Sequence, residues 1–237
     1  MLVDLHAHTS GISLCCKASA PEVIEAAKSV GLDGIVLTNH YQKFYVPDNN
    51  YADLAKRYIE EYRYTKALGK ELGCRVFFGI EVTMERYDRV HLLIYGVDEK
   101  FVEQYPDMFD YSQEQLYRTV HENGGLLIQA HPLRRGKNVL LDLSLLDGVE
   151  VNSHPKYDGT HIDELTELAE KNGLILTSGG DYHADTHRPC CGLYLPDTIA
   201  SSVELGAYLR AARELELCYQ EPQDRHCQRA TFRPVKK

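Results

Sequence analysis

Metal-capable side chains stand where short apolar runs of this chain end: His6 and His8, His40, Glu81, His131, and Asp181 with His183. A further histidine, His91, stands at the start of such a run. His6 and His8 are two residues apart, and side chains on a strand alternate with a period of two, so both rings point the same way. Such a pair makes one half of a metal site. A random scatter of eleven histidines over 237 residues would not choose run ends so regularly. Two carboxylates and five or six imidazoles suit borderline divalent ions: zinc, manganese or iron. They are too many for one tetrahedral ion, so two or three ions are implied. Clustered ions lower the pKa of bound water and clamp the oxygens of a phosphoryl group. Glu81 is the natural bridge, because a carboxylate has two oxygens to give.

These residues need elements that carry them to one place. Val3 and Leu5 flank the His6/His8 pair, so the run reads as a buried strand. Ser19, Pro21 and Glu22 form a helix start, and Gly31 closes that helix. Apolar strands are read over 34–40, 76–81, 90–97, 126–131, 148–152 and 174–181, which with the first makes seven. Helices are read over about 52–72, with charges and tyrosines on its outer face, and over 112–122, 160–171 and 201–215. Residues 98–111 read as a loop, and the tail beyond Glu221 as loosely ordered or an extended arm. Residues 82–89 are too few for a parallel crossover, so a hairpin is expected there, bringing His91 beside Glu81. Strands alternating with helices favour a distorted seven-stranded (β/α) barrel, whose strand ends gather at one rim. No glycine-rich loop follows the first strand, which weighs against a dinucleotide fold. One barrel domain over 1–237 is expected, with its motifs in 2–190 and a C-terminal helix and tail from about 200.

Composition narrows the partners. Hydrophobic residues make up 43%, enough for a packed interior. The net charge of −9 argues against life on duplex DNA or an anionic membrane surface. No run approaches the roughly 18–20 apolar residues of a membrane helix, and the start lacks a signal pattern, so a cytoplasmic protein is expected. Seven cysteines, with no CxxC, form neither a disulfide framework nor a zinc finger.

In this order, Asp4-Leu5-His6-Ala7-His8-Thr9, Thr38-Asn39-His40, Gly79-Ile80-Glu81, His91, Ala130-His131-Pro132 and Gly179-Gly180-Asp181-Tyr182-His183 resemble the PHP (polymerase and histidinol phosphatase) family. The resemblance implies a distorted seven-stranded barrel and a phosphoesterase with two or three metal ions. It implies one site from His6, His8, Glu81 and Asp181, and a second from Glu81, His91 and His131. A third would take His40, His183 and a ligand from the loop after His8. The family usually has Asp or His in that loop; here Ser13 and Leu14 stand there, and Cys15 follows as a thiolate candidate. Asn39 stands where the family more often has Asp.

Arg134, Arg135 and Lys137 follow the His131-Pro132 turn, and Arg188 follows His183, so each is a candidate to hold a phosphate oxygen. Lys17 and His187 are weaker candidates, and Tyr41, Tyr45 and Tyr51 are candidate pocket walls. His154, just past a strand end, is a candidate proton donor to a leaving oxygen. The expected activity is hydrolysis of a small phosphomonoester or nucleotide end by metal-activated water, with His6, His8, Glu81, Asp181 and His154 as the catalytic set. Hydrolysis of a C–N bond on an amidohydrolase-like rim is the rival enzyme reading, though Glu81 fills the place of the carbamylated lysine expected there. A non-catalytic metal-binding module is the third.

Overall fold

The structure is a computed structural model and describes residues 1–46, 50–87, 89–134 and 139–235. β1 (Leu2–Ala7) is buried at every position. The Ser19 backbone N–H and hydroxyl both donate to Glu22, starting α1 (Ala20–Ser29), and Gly31 ends it at φ 81°. β2 (Gly34–Leu37) runs parallel to β1, and a break at Thr38-Asn39 separates it from β3 (His40–Tyr41). α2 (Tyr51–Leu72) is capped by Asn50 and stopped by Gly73 in the left-handed region. β4 (Arg75–Phe78) is parallel to β2, and Gly79 separates it from β5 (Ile80–Met84). A Cβ on Gly79 would lie 2.6 Å from Val36 Cγ1 and 2.9 Å from Thr38 Cγ2, so the two chain breaks can pack together only because this residue has no side chain.

β6 (Val90–Tyr95) is antiparallel to β5, as the short connection requires. A short helix, α3 (Lys100–Gln104), follows within the segment expected to be a loop. α4 (Gln113–Glu122) carries a Ser112/Gln115 capping box. The chain continues through β7 (Leu126–Gln129), β8 (Gly148–Asn152), α5 (Ile162–Asn172), β9 (Ile175–Gly179), β10 (Gly192–Tyr194), α6 (Ser202–Ala211), β11 (Leu215–Tyr219) and β12 (Gln228–Phe232).

The strands form two six-stranded sheets, in the orders β12-β11-β10-β1-β2-β4 and β3-β5-β6-β7-β8-β9. The seven-stranded barrel expected from the sequence is thus found as a mixed α/β fold, with no closed barrel among the described residues. Two causes are visible. Five of the ten pairings are antiparallel: β5–β6, β6–β7, β1–β10, β10–β11 and β11–β12. The C-terminal segment also extends the first sheet, because α6 ends at Ala211 and Leu215 and Leu217 alternate inward on β11. The sheets meet where Asp181 N–H donates to His6 O at 2.9 Å, beside a parallel bridge between Ala7 and Tyr182.

The tyrosines of α2 are not all on its outer face. Tyr58 and Tyr62 are buried, and the Tyr58 hydroxyl reaches Asn39 O at 2.7 Å and Gly79 O at 3.0 Å. This bond ties the helix to the backbone beside His40 and Glu81. No helix among the described residues is long and apolar enough to cross a membrane.

Candidate metal centre

β1 delivers Asp4, His6 and His8 to one side, all fully buried. His6 Nε2 lies 3.1 Å from His8 Nε2 and 3.3 Å from both Glu81 Oε1 and Asp181 Oδ1. His8 Nε2 is 3.1 Å from Asp181 Oδ1 and 3.5 Å from Glu81 Oε2. Parallel pairing of β3 with β5 sets His40 opposite Glu81. The β5–β6 hairpin sets His91 opposite Thr83, two residues along the same face, and His91 Nδ1 is 2.8 Å from Glu81 Oε1. His131 Nε2 is 3.3 Å from the same oxygen. His131 and Asp181 take left-handed backbone, φ 30° and 48°, a strained conformation for side-chain-bearing residues that is typical of functional positions.

The ligand atoms fall into three close groups: His6, His8, Glu81 and Asp181; His40, Glu81 and His91; and His8, His40 and His183. Glu81 serves two of them. The grouping differs in detail from that implied by the resemblance. His40 takes the place beside Glu81 and His91, and His8 rather than a loop residue joins His40 and His183.

Hydrogen bonding fixes which atoms of the imidazoles are free. Glu150 is fully buried between Val149 and Val151 on β8. Its Oε2 accepts from His131 N–H and Asn152 Nδ2, each at 3.0 Å, and its Oε1 takes the His6 Nδ1 proton at 2.8 Å. Ser13 donates to Asn39 Oδ1 and accepts from His40 N–H, so toward His8 Nδ1 at 3.0 Å it can only accept. In the neutral imidazoles both Nε2 atoms therefore carry the lone pair. They face each other and two carboxylate oxygens. Burial pushes the His6 pKa down, but the carboxylates of Glu150, Glu81 and Asp181 outweigh it and raise it well above the imidazole range, so without a metal this place takes up a proton. That convergence of electron-pair donors suits a cation. His40 Nδ1 and Glu81 Oε2 add to it: they are buried, 2.5 Å apart, and make no hydrogen bond among the described residues.

Charge follows the same arrangement. Burial pushes Glu81 up, but the imidazoles of His40, His91 and His6 outweigh it and hold its carboxyl well below the usual range. Asp181 is held low likewise, burial being overcome by His6 and His183 and by its bond to His8. His8 is pushed well down by burial and by the neighbouring His183 and His40.

A family model for the PHP domain matches residues 4–182. The chain belongs to the PHP domain family. No curated protein matches it. Among solved structures, a two-domain protein from Bacteroides vulgatus containing a predicted PHP-like metal-dependent phosphoesterase is similar at TM-score 0.66 and 14% identity. The match covers 93% of this chain and 65% of that one, so this chain spans less than two thirds of that protein. A candidate metal-dependent phosphoesterase from Bifidobacterium adolescentis is similar at TM-score 0.56 and 16% identity, covering 88% of this chain and 95% of that one. An amidohydrolase from Chromobacterium violaceum, solved with sulfate and no metal, is similar at TM-score 0.51 and 18% identity over 89% of this chain and 96% of that one. At such identities the likeness is one of fold.

Around the PHP centre, the other sequence candidates take distinct places. Cys15 is exposed on its loop; burial raises its pKa, but hydrogen bonds to His183 and His40 bring it to about 6. Arg134 donates to the Tyr157 hydroxyl at 3.0 Å and lines a small cavity with His91 and His131. Arg135 and Lys137 lie outside the described residues. His154 stacks on Tyr157, ring centres 4.7 Å apart, with Nε2 3.6 Å from Asp185 Oδ1. Arg188 corrects the expectation of a rim arginine. It is buried, its Nη2 lies 2.5 Å from Asp4 Oδ2, and its guanidinium sits over the Tyr182 ring. Asp4 also accepts from His6 N–H and Gly180 N–H, so Arg188 neutralises the acid that braces β1 against the Gly180-Asp181 turn.

Sequence reasoning missed Glu150, Ser13 and Tyr157. Tyr157 OH lies 2.5 Å from Asp181 Oδ2. For Glu150 a signal existed: an acid between two valines on a buried strand must have a partner inside.

Proposed function

We propose that the chain is a hydrolase of phosphoric esters that acts on a small phosphorylated substrate with two or three divalent ions, zinc, manganese or iron. The observation that carries this reading is the convergence of donor atoms from His6, His8, Glu81 and Asp181 on one point, with Glu81 shared by a second set. These four residues would hold one ion. Glu81, His91 and His40, with His131 beside them, would hold another. His8, His40 and His183 would make a third place, with Cys15 adjoining it. Bound there, such ions supply acidified water and positive charge for phosphoryl oxygens. The hard-to-soft range of the donor set, imidazole with carboxylate, is what selects these metals.

The chain's own residues supply the rest. Glu150 and Ser13 hold His6 and His8 in the tautomers that face inward. Arg134, at the rim beside His91 and His131, takes a substrate phosphate oxygen. His154, next to Asp185, donates a proton to the leaving oxygen. The negative balance of the chain favours a small substrate over a long duplex.

A C–N hydrolase is the second reading, favoured by the fold shared with the Chromobacterium violaceum amidohydrolase. The deciding assay uses the full chain with Mn²⁺ against an aryl phosphomonoester and its diester, beside Glu81→Ala. Turnover by the wild type alone supports ester hydrolysis. Absence of turnover on both esters, with cleavage of an amide or cyclic-amide panel, overturns it.

A further inference from the structure

We propose that Cys190, Cys218 and Cys227 form a second metal site, a thiolate site for one zinc ion, apart from the histidine-rich centre. The three sulfurs lie within 4.8 Å of one another. They come together by topology. β11 is antiparallel to both β10 and β12, so the end of β11 lies beside the starts of its two neighbours. Cys218 stands near that end, Cys190 shortly before β10, and Cys227 immediately before β12. All three lie beyond the residues matched by the PHP family, so this site is a feature of the C-terminal extension.

The spacing favours a metal over a disulfide. Zinc–thiolate bonds are about 2.3 Å, so sulfurs on a tetrahedral zinc stand about 3.8 Å apart. Cys190 Sγ and Cys218 Sγ are 3.8 Å apart. A disulfide needs a sulfur–sulfur distance of about 2.05 Å. Three thiols also leave one unpaired in any disulfide, whereas three thiolates and one further donor complete a tetrahedron. The further donor would be water: among the described residues no fourth His, Cys, Asp or Glu joins the three sulfurs, and His187, which lines one cavity with Cys190 and Cys227, stands outside the group. Thiolates select borderline-soft zinc over magnesium or calcium. On binding, the three thiols release their protons to solvent.

The consequence is mechanical. Residues 187–190 carry Arg188, which holds Asp4 beneath His6. Zinc would fasten that segment to the β11–β12 hairpin.

The test uses the full chain in the Cys15→Ser background, purified under a phosphine reductant, so that no thiolate of the histidine-rich centre contributes. Bound zinc is counted by elemental analysis, and Co²⁺-loaded protein is read for sulfur-to-cobalt charge-transfer bands. The expected result is that Cys227→Ser, a change at an exposed position, removes one zinc per chain and the bands. His187→Ala, a change outside the ligand group, should leave the zinc count and the charge-transfer bands in place. A second readout needs no variant: zinc should protect Cys227 from alkylation, and chelation should expose it. Absence of charge-transfer bands in the parent, equal zinc content with and without Cys227, or alkylation unaffected by zinc would each overturn the proposal.

Discussion

Glu150 Oε1 lies 2.8 Å from His6 Nδ1, with both side chains fully buried, and this one bond fixes which nitrogen of His6 faces the cluster. A glutamine at 150 can present either its oxygen or its NH₂ to His6. Its other end must still serve His131 N–H and Asn152 Nδ2, as Glu150 Oε2 does now. Glu150→Gln should therefore keep the fold while weakening the carboxylate's hold on the imidazole. Loss of such a partner behind a metal ligand typically costs 10–100-fold in metal affinity or activity. We expect Mn²⁺-dependent turnover to fall by about that factor, with the far-ultraviolet circular dichroism spectrum unchanged. Full turnover in the variant would remove Glu150 from the site.

Metal removal should be felt in stability as well as turnover. Without an ion, Glu81 and Asp181 are buried carboxylates whose counter-charge is protons on the neighbouring imidazoles. A ligand that binds only the folded state stabilises it by about 1.4 kcal/mol for each tenfold excess over its Kd. Chelated protein should melt at lower temperature than metal-loaded protein, and the midpoint should rise with the logarithm of added Mn²⁺ or Zn²⁺. Differential scanning fluorimetry measures this directly. A midpoint indifferent to both chelator and metal would mean that no ion is held by the folded chain.

Most of the centre was legible before any coordinates, for a physical reason. Period-two alternation puts His6 and His8 on one face, and strand-end histidines are conspicuous in any sequence. The hairpin that brings His91 to Glu81 followed from the length of residues 82–89 alone. What was hidden depended on tertiary contacts. Arg188 reads as a rim cation because it follows His183, yet burial beside Asp4 decides its role. Tyr58 looks like one more surface tyrosine until the width of the α2 buried face is known. The C-terminal strands are hidden because a helix read over 201–215 runs into β11 at Leu215 and the tail beyond Glu221, which holds β12, has no apolar period, although Leu215 and Leu217 already alternate. The cysteines at 190, 218 and 227 share no short motif, so only the antiparallel order of β10, β11 and β12 brings them together.

The Arg188–Asp4 pair gives a stability prediction. Both side chains are almost wholly shielded from solvent, and Nη2 and Oδ2 are 2.5 Å apart. Removing one partner of a buried ion pair leaves an uncompensated charge, at a cost of about 3–5 kcal/mol. Arg188→Met should lower unfolding free energy by about that amount in urea titrations. Pairing it with Asp4→Asn should recover part of the loss, because no buried charge is then stranded. If the single variant unfolds like the wild type, Arg188 is not the counter-charge of Asp4.

Tyr157 and Arg134 are hydrogen-bonded to each other, yet their variants should separate in kinetics. The Tyr157 hydroxyl is 2.5 Å from Asp181 Oδ2 and accepts from Arg134 Nη1 at 3.0 Å. A short bond between a hydroxyl and a carboxylate is among the stronger kinds. Tyr157→Phe leaves Asp181 Oδ2 without that donor, so the carboxylate is free to turn away from His8. We expect kcat to fall by about tenfold or more, within the range known for lost support of a metal ligand, while KM changes little. Arg134→Ala removes a cation at the rim and leaves the Tyr157–Asp181 bond in place. It should raise KM for a phosphomonoester with a smaller effect on kcat. Steady-state kinetics of the two variants and the double variant measure this split. Equal changes in KM and kcat for both single variants would show that the two residues act as one structural unit, with no separate contact from Arg134 to substrate.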